Sequence, residues 1–157
     1  MKVEHYNDGN FAGIRTIQEY VAGFRFSENK DRVLLIEKNR PDWQAGKHNA
    51  IGGKIEEGET SIQAMMREFE EETGLQTTAE EWTHFVTLSG NGWTVDFYKS
   101  FSEDIYDSKQ MTDEKPWIVY IEDKHVHEFC KIIPNLSWLV PLALDESIKN
   151  VVNVSEV

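Results

Sequence analysis

The stretch between Thr60 and Gly74 constrains the fold more than any other, because the sequence SIQAMMREFEEET has a helix signal at each end. Thr60, with Gln63 three residues later, predicts an N-terminal capping box in which each side chain binds the other residue's backbone. Gly74 stands where a left-handed residue commonly ends a helix. The pattern therefore predicts a helix from about Ser61 to Thr73.

Successive residues turn by about 100° along a helix, which divides the predicted helix into faces. One arc is apolar and is expected to face the core: Ile62, Met65, Met66, Phe69 and Thr73. A neighbouring arc carries three carboxylates and two small side chains: Glu68, Glu71, Glu72, Ser61 and Ala64. The three carboxylates are thus predicted to share one face, with space beside them.

Three like charges at this spacing repel one another, and the sequence supplies only Arg67 nearby as a counter-charge. Carboxylate oxygens are the ligands that hard cations such as Mg²⁺ and Mn²⁺ prefer. The carboxylate face therefore suggests a divalent-metal site. On the helix alone, an acidic face exposed to solvent is an equally good interpretation.

The remaining elements are predicted from β-branched and aromatic runs separated by turn residues. Two hairpins are expected, Gln18 to Phe26 with Arg32 to Glu37, and Trp82 to Leu88 with Trp93 to Phe101. Shorter elements are expected at His48 to Ile51, a strand at Pro116 to Ile121, and helices at about Lys124 to Lys131 and Ser137 to Lys149. Mixed strands with these helices predict one domain over residues 1–157, an α+β or α/β sandwich with a mixed sheet.

Composition narrows the function. A formal net charge of −12 argues against a long nucleic acid as partner, whereas a small phosphorylated substrate can still bind through metal ions. No apolar run is long enough for a membrane span, and the N-terminus lacks a signal-peptide pattern, so we expect a cytoplasmic protein. The single cysteine, Cys130, is expected to be a core thiol. The oligomeric state is left open.

The carboxylate face belongs to a longer pattern that resembles a complete Nudix box, the signature of the Nudix hydrolases. Its matching positions are Gly53, Glu59, Arg67, Glu68, Phe69, Glu71, Glu72, Gly74 and Leu75. The resemblance covers residues 53–75 and implies a Nudix-type α/β/α sandwich with a catalytic helix at about 61–73. It also implies hydrolysis of a pyrophosphate bond in a nucleoside triphosphate or another nucleoside diphosphate derivative.

The resemblance further implies roles for the matching residues. Metal ligands would be Gly53, through its carbonyl oxygen, and Glu68, Glu71 and Glu72, holding Mg²⁺ with Mn²⁺ as a substitute. Arg67 would orient a glutamate, and Glu59 would stabilise the loop before the helix. The catalytic set would then be Glu68, Arg67 and Glu72, with Glu68 as the first candidate for the general base. Family members also recruit a base from outside the box, so Asp96 and Glu103 stay open, each with an ordinary surface role as its alternative.

Residues outside the box resemble those of the MutT-type enzymes, which hydrolyse oxidised purine nucleoside triphosphates such as 8-oxo-dGTP. Asn49 lies where several members place an asparagine that contacts the base, and Asn135 can match an asparagine of the bacterial enzymes. We therefore predict a purine substrate read by Asn49 and Asn135. Asn135 could instead cap a helix after Pro134. Trp138, like Trp43 and Trp117, could stack on the base or be a core residue.

Other Nudix substrates match less well. The proline of ADP-ribose hydrolases is replaced by residues such as Gly90 and Asn91, no tyrosine lies between Leu75 and Tyr98, and the coenzyme A motif is missing. An ADP-ribose or nucleoside diphosphate-sugar pyrophosphatase stays as an alternative. A non-catalytic module that binds a nucleotide is a second alternative, but the complete set of box glutamates favours an enzyme.

Overall fold

The computed structural model describes residues 3–7, 12–122, 125–126 and 131–156. Within these residues the strands are β1 Val3–Asn7, β2 Ala12–Thr16, β3 Gln18–Phe26, β4 Arg32–Glu37, β5 His48–Asn49, β6 Ile51–Lys54, β7 Thr83–Gly90, β8 Trp93–Phe101, β9 Lys115–Glu122, β10 His125–Val126 and β11 Val152–Ser155. The α-helices are α1 Ser61–Thr73 and α2 Leu136–Leu144, and two short 3-10 helices lie at Ala79–Glu81 and Glu103–Asp107. None of these helices is long and apolar enough to cross a membrane.

Nine of the strands form a mixed sheet in the order β10-β9-β4-β3-β8-β7-β11, with β5 paired to β4 and β6 paired to β3. β3 is parallel to β8 and antiparallel to β4, and β11 is parallel to β7. β1 and β2 form a separate antiparallel pair. The predicted mixed sheet is therefore confirmed.

Strand β4 shows why both faces of the sheet are covered, because nearly all of its side chains are apolar and buried. Val33 and Leu35 belong to the core on the side of α2, whereas Leu34 and Ile36 belong to the core on the side of α1. Successive side chains of a strand point to opposite faces, so a continuous apolar run needs a partner layer on each side. The α/β/α sandwich predicted from the resemblance is confirmed.

Helix α1 has the predicted bounds, and both sides of its capping box are present between Thr60 and Gln63. Gly74 ends the helix with a left-handed φ of 76°. The predicted core arc is rotated, however. Ala64, which we placed beside the carboxylates, is completely buried, while Ile62 is only partly buried. The side of α1 that carries Glu68 therefore turns toward the sheet instead of flanking the core.

Near the C-terminus, two predictions are wrong where the structure can be compared with them. The helix predicted at Lys124 to Lys131 is contradicted by strand β10, and the rest of that segment, with Cys130, lies outside the described residues. Helix α2 ends at Leu144 instead of Lys149 because Asp145 is extended and its carboxylate accepts bonds from the backbone N–H and the hydroxyl of Ser147. The chain then forms β11 along β7, a strand that the sequence analysis did not predict.

A buried arginine on β3 packs against α1 from the side of the sheet. Arg25 is 1% exposed, and its guanidinium lies over the rings of Phe69 and Trp82. Two of its N–H groups bind the Asp104 carboxylate at 2.7 Å each, and another reaches Glu81 at 2.8 Å. Arg25 thus joins the central sheet, α1 and both 3-10 helices.

The two carboxylates have depressed pKa values. The hydrogen bond from Arg25 lowers the pKa of Glu81 below its usual 4.5. Burial raises the pKa of Asp104, but the bonds and the charge of Arg25 outweigh that effect and hold it below 3.8. A depressed pKa in the folded state stabilises the fold at pH values above the unfolded pKa, and this stabilisation is lost as the pH falls through the folded pKa.

Arg25→Met is expected to lower the free energy of unfolding by about 2–4 kcal/mol at pH 7, because it leaves two partly buried carboxylates without their counter-charge. The stability of the variant should also fall less steeply than wild type below about pH 4.5, where Glu81 and Asp104 take up protons. Urea melts between pH 7 and pH 3 measure both effects. Parallel curves for the two proteins would contradict this account.

Candidate active site

The carboxylate face of α1 meets the sheet at two glycines. A Cβ atom at Gly53 would lie 2.4 Å from the Glu68 carboxylate, and a Cβ atom at Gly52 would lie 1.9 Å from the carbonyl oxygen of Val21. Only glycine leaves this space free. The helix can therefore bring a carboxylate directly against strand β6.

Arg67 holds the box residues together. Its guanidinium binds both oxygens of Glu59, at 2.7 and 2.9 Å, and one oxygen of Glu68 at 2.8 Å. It also reaches Glu71 at 3.2 Å and the carbonyl of Lys54 at 3.0 Å. The predicted orienting role of Arg67 thus has a geometric basis, since one planar cation touches three carboxylates.

Burial and charge act in opposite directions on these groups. The hydrogen bond from Arg67 lowers the pKa of Glu59. Burial raises the pKa of Glu68, although the bond from Arg67 opposes this, and the nearby Glu71 raises it further. A half-buried carboxylate with a raised pKa accepts a proton more readily than an ordinary surface glutamate. This suits the role of general base predicted for Glu68.

Glu72 is held from another loop. It accepts a hydrogen bond from the Thr112 hydroxyl at 3.0 Å, and burial followed by the charge of Glu114 raises its pKa. Glu114 is itself only 4% exposed and is bound by Lys38 at 2.8 Å and by the backbone N–H of Asn39 at 2.6 Å. The loop before β9 therefore connects the carboxylate face to the end of β4.

The donor types fit a hard divalent cation, because the Glu68 carboxylate lies against the backbone of Gly53, and carboxylate and carbonyl oxygens are ligands of such cations. A positive charge would also offset the burial that raises the pKa values of Glu68 and Glu72. In the part of the chain that the structure describes, no three acidic, histidine or cysteine side chains converge into a metal site. Arg67 binds Glu68 and Glu71, and Thr112 binds Glu72.

A cavity of about 590 Å³ opens on the other face of the sheet. Its walls include aromatic side chains, two cations and the two glycines of β6: Tyr20, Trp43, Trp93, Phe97, Lys38, Arg40, Gly52 and Gly53. The volume lies within the range of small-molecule sites. Gly53 belongs to both regions, so the cavity reaches the carboxylate face at this residue.

Both predicted base-reading asparagines line this cavity. The Asn135 Oδ1 atom is buried without a hydrogen-bond partner, and the side chain makes no cap bond to α2. Asn135 nevertheless stands at the N-cap position of α2, so the helix-cap role stays an alternative. Asn49 is already engaged, because its amide donates to Gln44 at 3.0 Å and its oxygen accepts from the Ala50 N–H at 2.8 Å.

The other predicted residues lie elsewhere. Trp138 is on α2, 38% exposed, and is not among the described residues that line the cavity. Trp117 donates to Glu37 at 3.3 Å on the sheet, whereas Trp43 lies at the cavity and is 59% exposed. Of the two alternative bases, Glu103 accepts a bond from the backbone of Glu28.

Asp96 accepts bonds from two hydroxyl groups, those of Ser61 and Thr87. Its bond to Ser61 places Asp96 at the beginning of α1, so of the two alternatives it is the one that contacts the catalytic helix.

Sequence reasoning missed several residues of the site. Thr112 and Glu114 come from a loop without a recognisable motif, and Trp93 was read only as the start of a strand. Glu156, which follows β11, also lines the cavity. The alternating pattern of VVNVSEV was a usable signal for that last strand.

Known proteins resemble this chain in sequence and in fold. The family model described as NUDIX domain matches residues 17–134, which include the cavity walls from β3 to Ile133 and the whole carboxylate face. The chain belongs to the Nudix family.

Three relatives illustrate the range of similarity. The CTP pyrophosphohydrolase of Escherichia coli (strain K12) is 36% identical over 65 residues, 40% of this chain and 48% of that protein, so the match spans about half of its length. A MutT structure from work on Aliivibrio salmonicida and Vibrio cholerae covers 82% of this chain and 98% of its own at 24% identity, with a TM-score of 0.65. A NUDIX hydrolase from Nitrosomonas europaea covers 99% and 95% at 13% identity, with a TM-score of 0.66. The two structures establish the Nudix fold of the chain.

Proposed function

We propose that this Nudix protein hydrolyses a pyrophosphate bond of a nucleoside triphosphate, releasing a nucleoside monophosphate and pyrophosphate. The observation that carries the proposal is the shared position of Gly53, which lines the cavity and also touches Glu68. A nucleoside held in the cavity can thus extend its phosphates past Gly53 to the carboxylate face.

The chain supplies the binding and proton-transfer groups for this reaction. Trp43 offers an exposed ring on which a base can stack. Lys38 and Arg40 line the cavity and place positive charge where the phosphates pass. Glu68 is proposed to take the proton of the attacking water, since its carboxylate lies against Gly53, which also lines the cavity.

Glu68, Glu71 and Glu72, with the Gly53 carbonyl, are proposed to hold Mg²⁺, or Mn²⁺ in its place. Nudix hydrolases generally use divalent cations, and carboxylate and carbonyl oxygens are the ligands that such cations take. The bound cation would neutralise charge on the pyrophosphate oxygens and make water more acidic. The net charge of −12 makes such neutralisation necessary for a triphosphate to approach.

A purine base, including the oxidised guanine of 8-oxo-dGTP, is our preferred substrate. Asn135 offers an unpartnered acceptor at the cavity, and the N–H groups of guanine or oxidised guanine are suitable donors. Asn49 can add a second contact if its amide exchanges Gln44 for the base. The likeness to a MutT structure supports the same choice.

A cytosine nucleotide is the second candidate, because the relative at 36% identity is named a CTP pyrophosphohydrolase. The exocyclic amine of cytosine can also donate to Asn135. Purine and pyrimidine substrates therefore have to be compared directly.

The proposed activity predicts that purified protein with Mg²⁺ releases pyrophosphate from at least one nucleoside triphosphate, and that chelation abolishes the release. A panel with 8-oxo-dGTP, dGTP, ATP, CTP, ADP-ribose and a nucleoside diphosphate-sugar, assayed for nucleoside monophosphate and pyrophosphate, separates the candidates. Higher kcat/KM for CTP than for every purine would reject the purine preference. Full activity in excess chelator would reject the metal-dependent mechanism.

Glu72→Gln is expected to reduce kcat/KM by about a hundredfold or more, as for other strong electrostatic groups in catalysis. Glu70→Gln is the matched control, since Glu70 lies on the exposed side of α1 and contacts Gln76. The melting temperature of Glu72→Gln should be unchanged or higher, because a raised pKa means that the ionised form of Glu72 costs stability at neutral pH. Equal losses of activity in the two variants would refute the proposed role of Glu72.

Asn135→Ala should reduce kcat/KM for the best purine substrate by about five- to a hundredfold, the effect of leaving one hydrogen-bond partner unpaired at a cost of about 1–3 kcal/mol. Its melting temperature should change little, because the Asn135 side chain makes no cap hydrogen bond to α2. Steady-state kinetics on a purine and a pyrimidine triphosphate provide the test. A uniform loss on both nucleotides would show that Asn135 does not select the purine.

A further inference from the structure

A chain of hydrogen bonds joins the start of α1 to the central sheet. The Ser61 hydroxyl, at the first residue of α1, is 2.7 Å from Asp96 Oδ2 and 2.8 Å from the Tyr98 hydroxyl. The Thr87 hydroxyl is 2.8 Å from Asp96 Oδ1, and His84 Nε2 is 2.9 Å from the Thr87 oxygen. These five residues form the Asp96 network.

The protons of this network can be assigned. Ionised Asp96 is an acceptor only, so both hydroxyls that touch it must donate to it. Ser61 then accepts from Tyr98, and Thr87 accepts from His84. Because Ser61 gives its proton to Asp96 and not to His84, the serine is not paired with a base as a nucleophile would be. The arrangement holds Ser61 in place.

The position of Asp96 in the sheet gives this bond its significance. Asp96 and Gly53 lie on β8 and β6, and each pairs with the same residue of β3, Val21. Two strand spacings separate them, roughly 10 Å. Ser61 and Glu68 are therefore both fixed to one row across the sheet, two turns apart on α1.

Local capping cannot provide this placement. The bonds between Thr60 and Gln63 cap the start of the helix, but they join only the cap residue and the first turn. The bond from Ser61 to Asp96 reaches the sheet and involves a charged acceptor, which makes it stronger than a bond between neutral groups. It can thus hold α1 against movement along the sheet.

We propose that Asp96 is a positioning residue for the reaction, which acts through Ser61 to hold the carboxylates of α1 at Gly53. The inference rests on the proposed function. It also gives Asp96 a role other than general base, since both of its oxygens are engaged by hydroxyl groups. Misplacement of catalytic groups by about 1 Å can cost a hundredfold in rate.

The test compares Asp96→Ala, Ser61→Ala and the double variant with wild type. We expect each single variant to reduce kcat by about ten- to a hundredfold with KM changed by less than about twofold, and the double variant to be no worse than Asp96→Ala. Ser61→Thr should restore most of the activity because it keeps the hydroxyl. Ser137→Ala is the matched control, since its hydroxyl donates to the Pro134 carbonyl near the start of α2.

Three outcomes would overturn the proposal. The first is a lower melting temperature with unchanged kcat, which would make the network merely structural. The second is a much larger loss in Asp96→Ala than in Ser61→Ala with the acidic limb of the pH–rate profile removed, which would make Asp96 the general base. The third is failure of Ser61→Thr to restore activity. If Asp96→Ala does not fold, the kinetics of Ser61→Ala and Ser61→Thr still test the proposal.

A second measurement does not depend on turnover. Binding of Mn²⁺ alone and amide hydrogen exchange of residues 61–64 are compared in wild type, Ser61→Ala and Ser137→Ala. Weaker Mn²⁺ binding and faster exchange in Ser61→Ala alone support the positioning role, and equal values in all three proteins overturn it. If wild type hydrolyses no pyrophosphate substrate, the proposed function is wrong. Mn²⁺ binding and hydrogen exchange still test whether the Asp96 network positions α1.

Discussion

The carboxylate face depends on Arg67, because acidic side chains turned toward a sheet would otherwise repel one another at short range. One guanidinium contacts Glu59, Glu68 and Glu71 and also the carbonyl of Lys54 at the end of β6. The planar group can bind several oxygens at once, which a lysine could not do. The loop, the helix and the edge of β6 are therefore fixed relative to one another by a single side chain.

Two arginine side chains, in different environments, stabilise α1 from opposite sides of the helix. Arg67 lies at the surface and organises groups that are proposed to bind metal, whereas Arg25 is buried and supports the apolar side through Phe69 and Trp82. The pKa of Arg67 is raised, first through its bond to Glu59, so it stays charged in spite of partial burial. The helix that carries the proposed chemistry thus rests on charge pairing as well as on apolar packing.

Local signals explain what could be predicted from the sequence. The bounds of α1 follow from Thr60, Gln63 and Gly74, and β3 and β4 follow from their apolar runs, so these elements were predicted correctly. The rotation of α1 was missed because the periodicity of α1 does not register that Gly53 leaves room for Glu68. Contacts such as Thr112 with Glu72 join distant segments, and no pattern within either segment reveals them.

The central sheet separates the cavity, where the nucleoside is proposed to bind, from the glutamates that are proposed to bind metal. Most walls of the cavity, such as Ala22, Val95 and Phe97, lie on the face that packs with α2, and the glutamates lie on the face covered by α1. The cavity and the carboxylate face meet at Gly53. Changes in the cavity walls can therefore alter which nucleoside fits without disturbing the carboxylates, so this architecture allows one chemical apparatus to be inherited by descendants with different substrates.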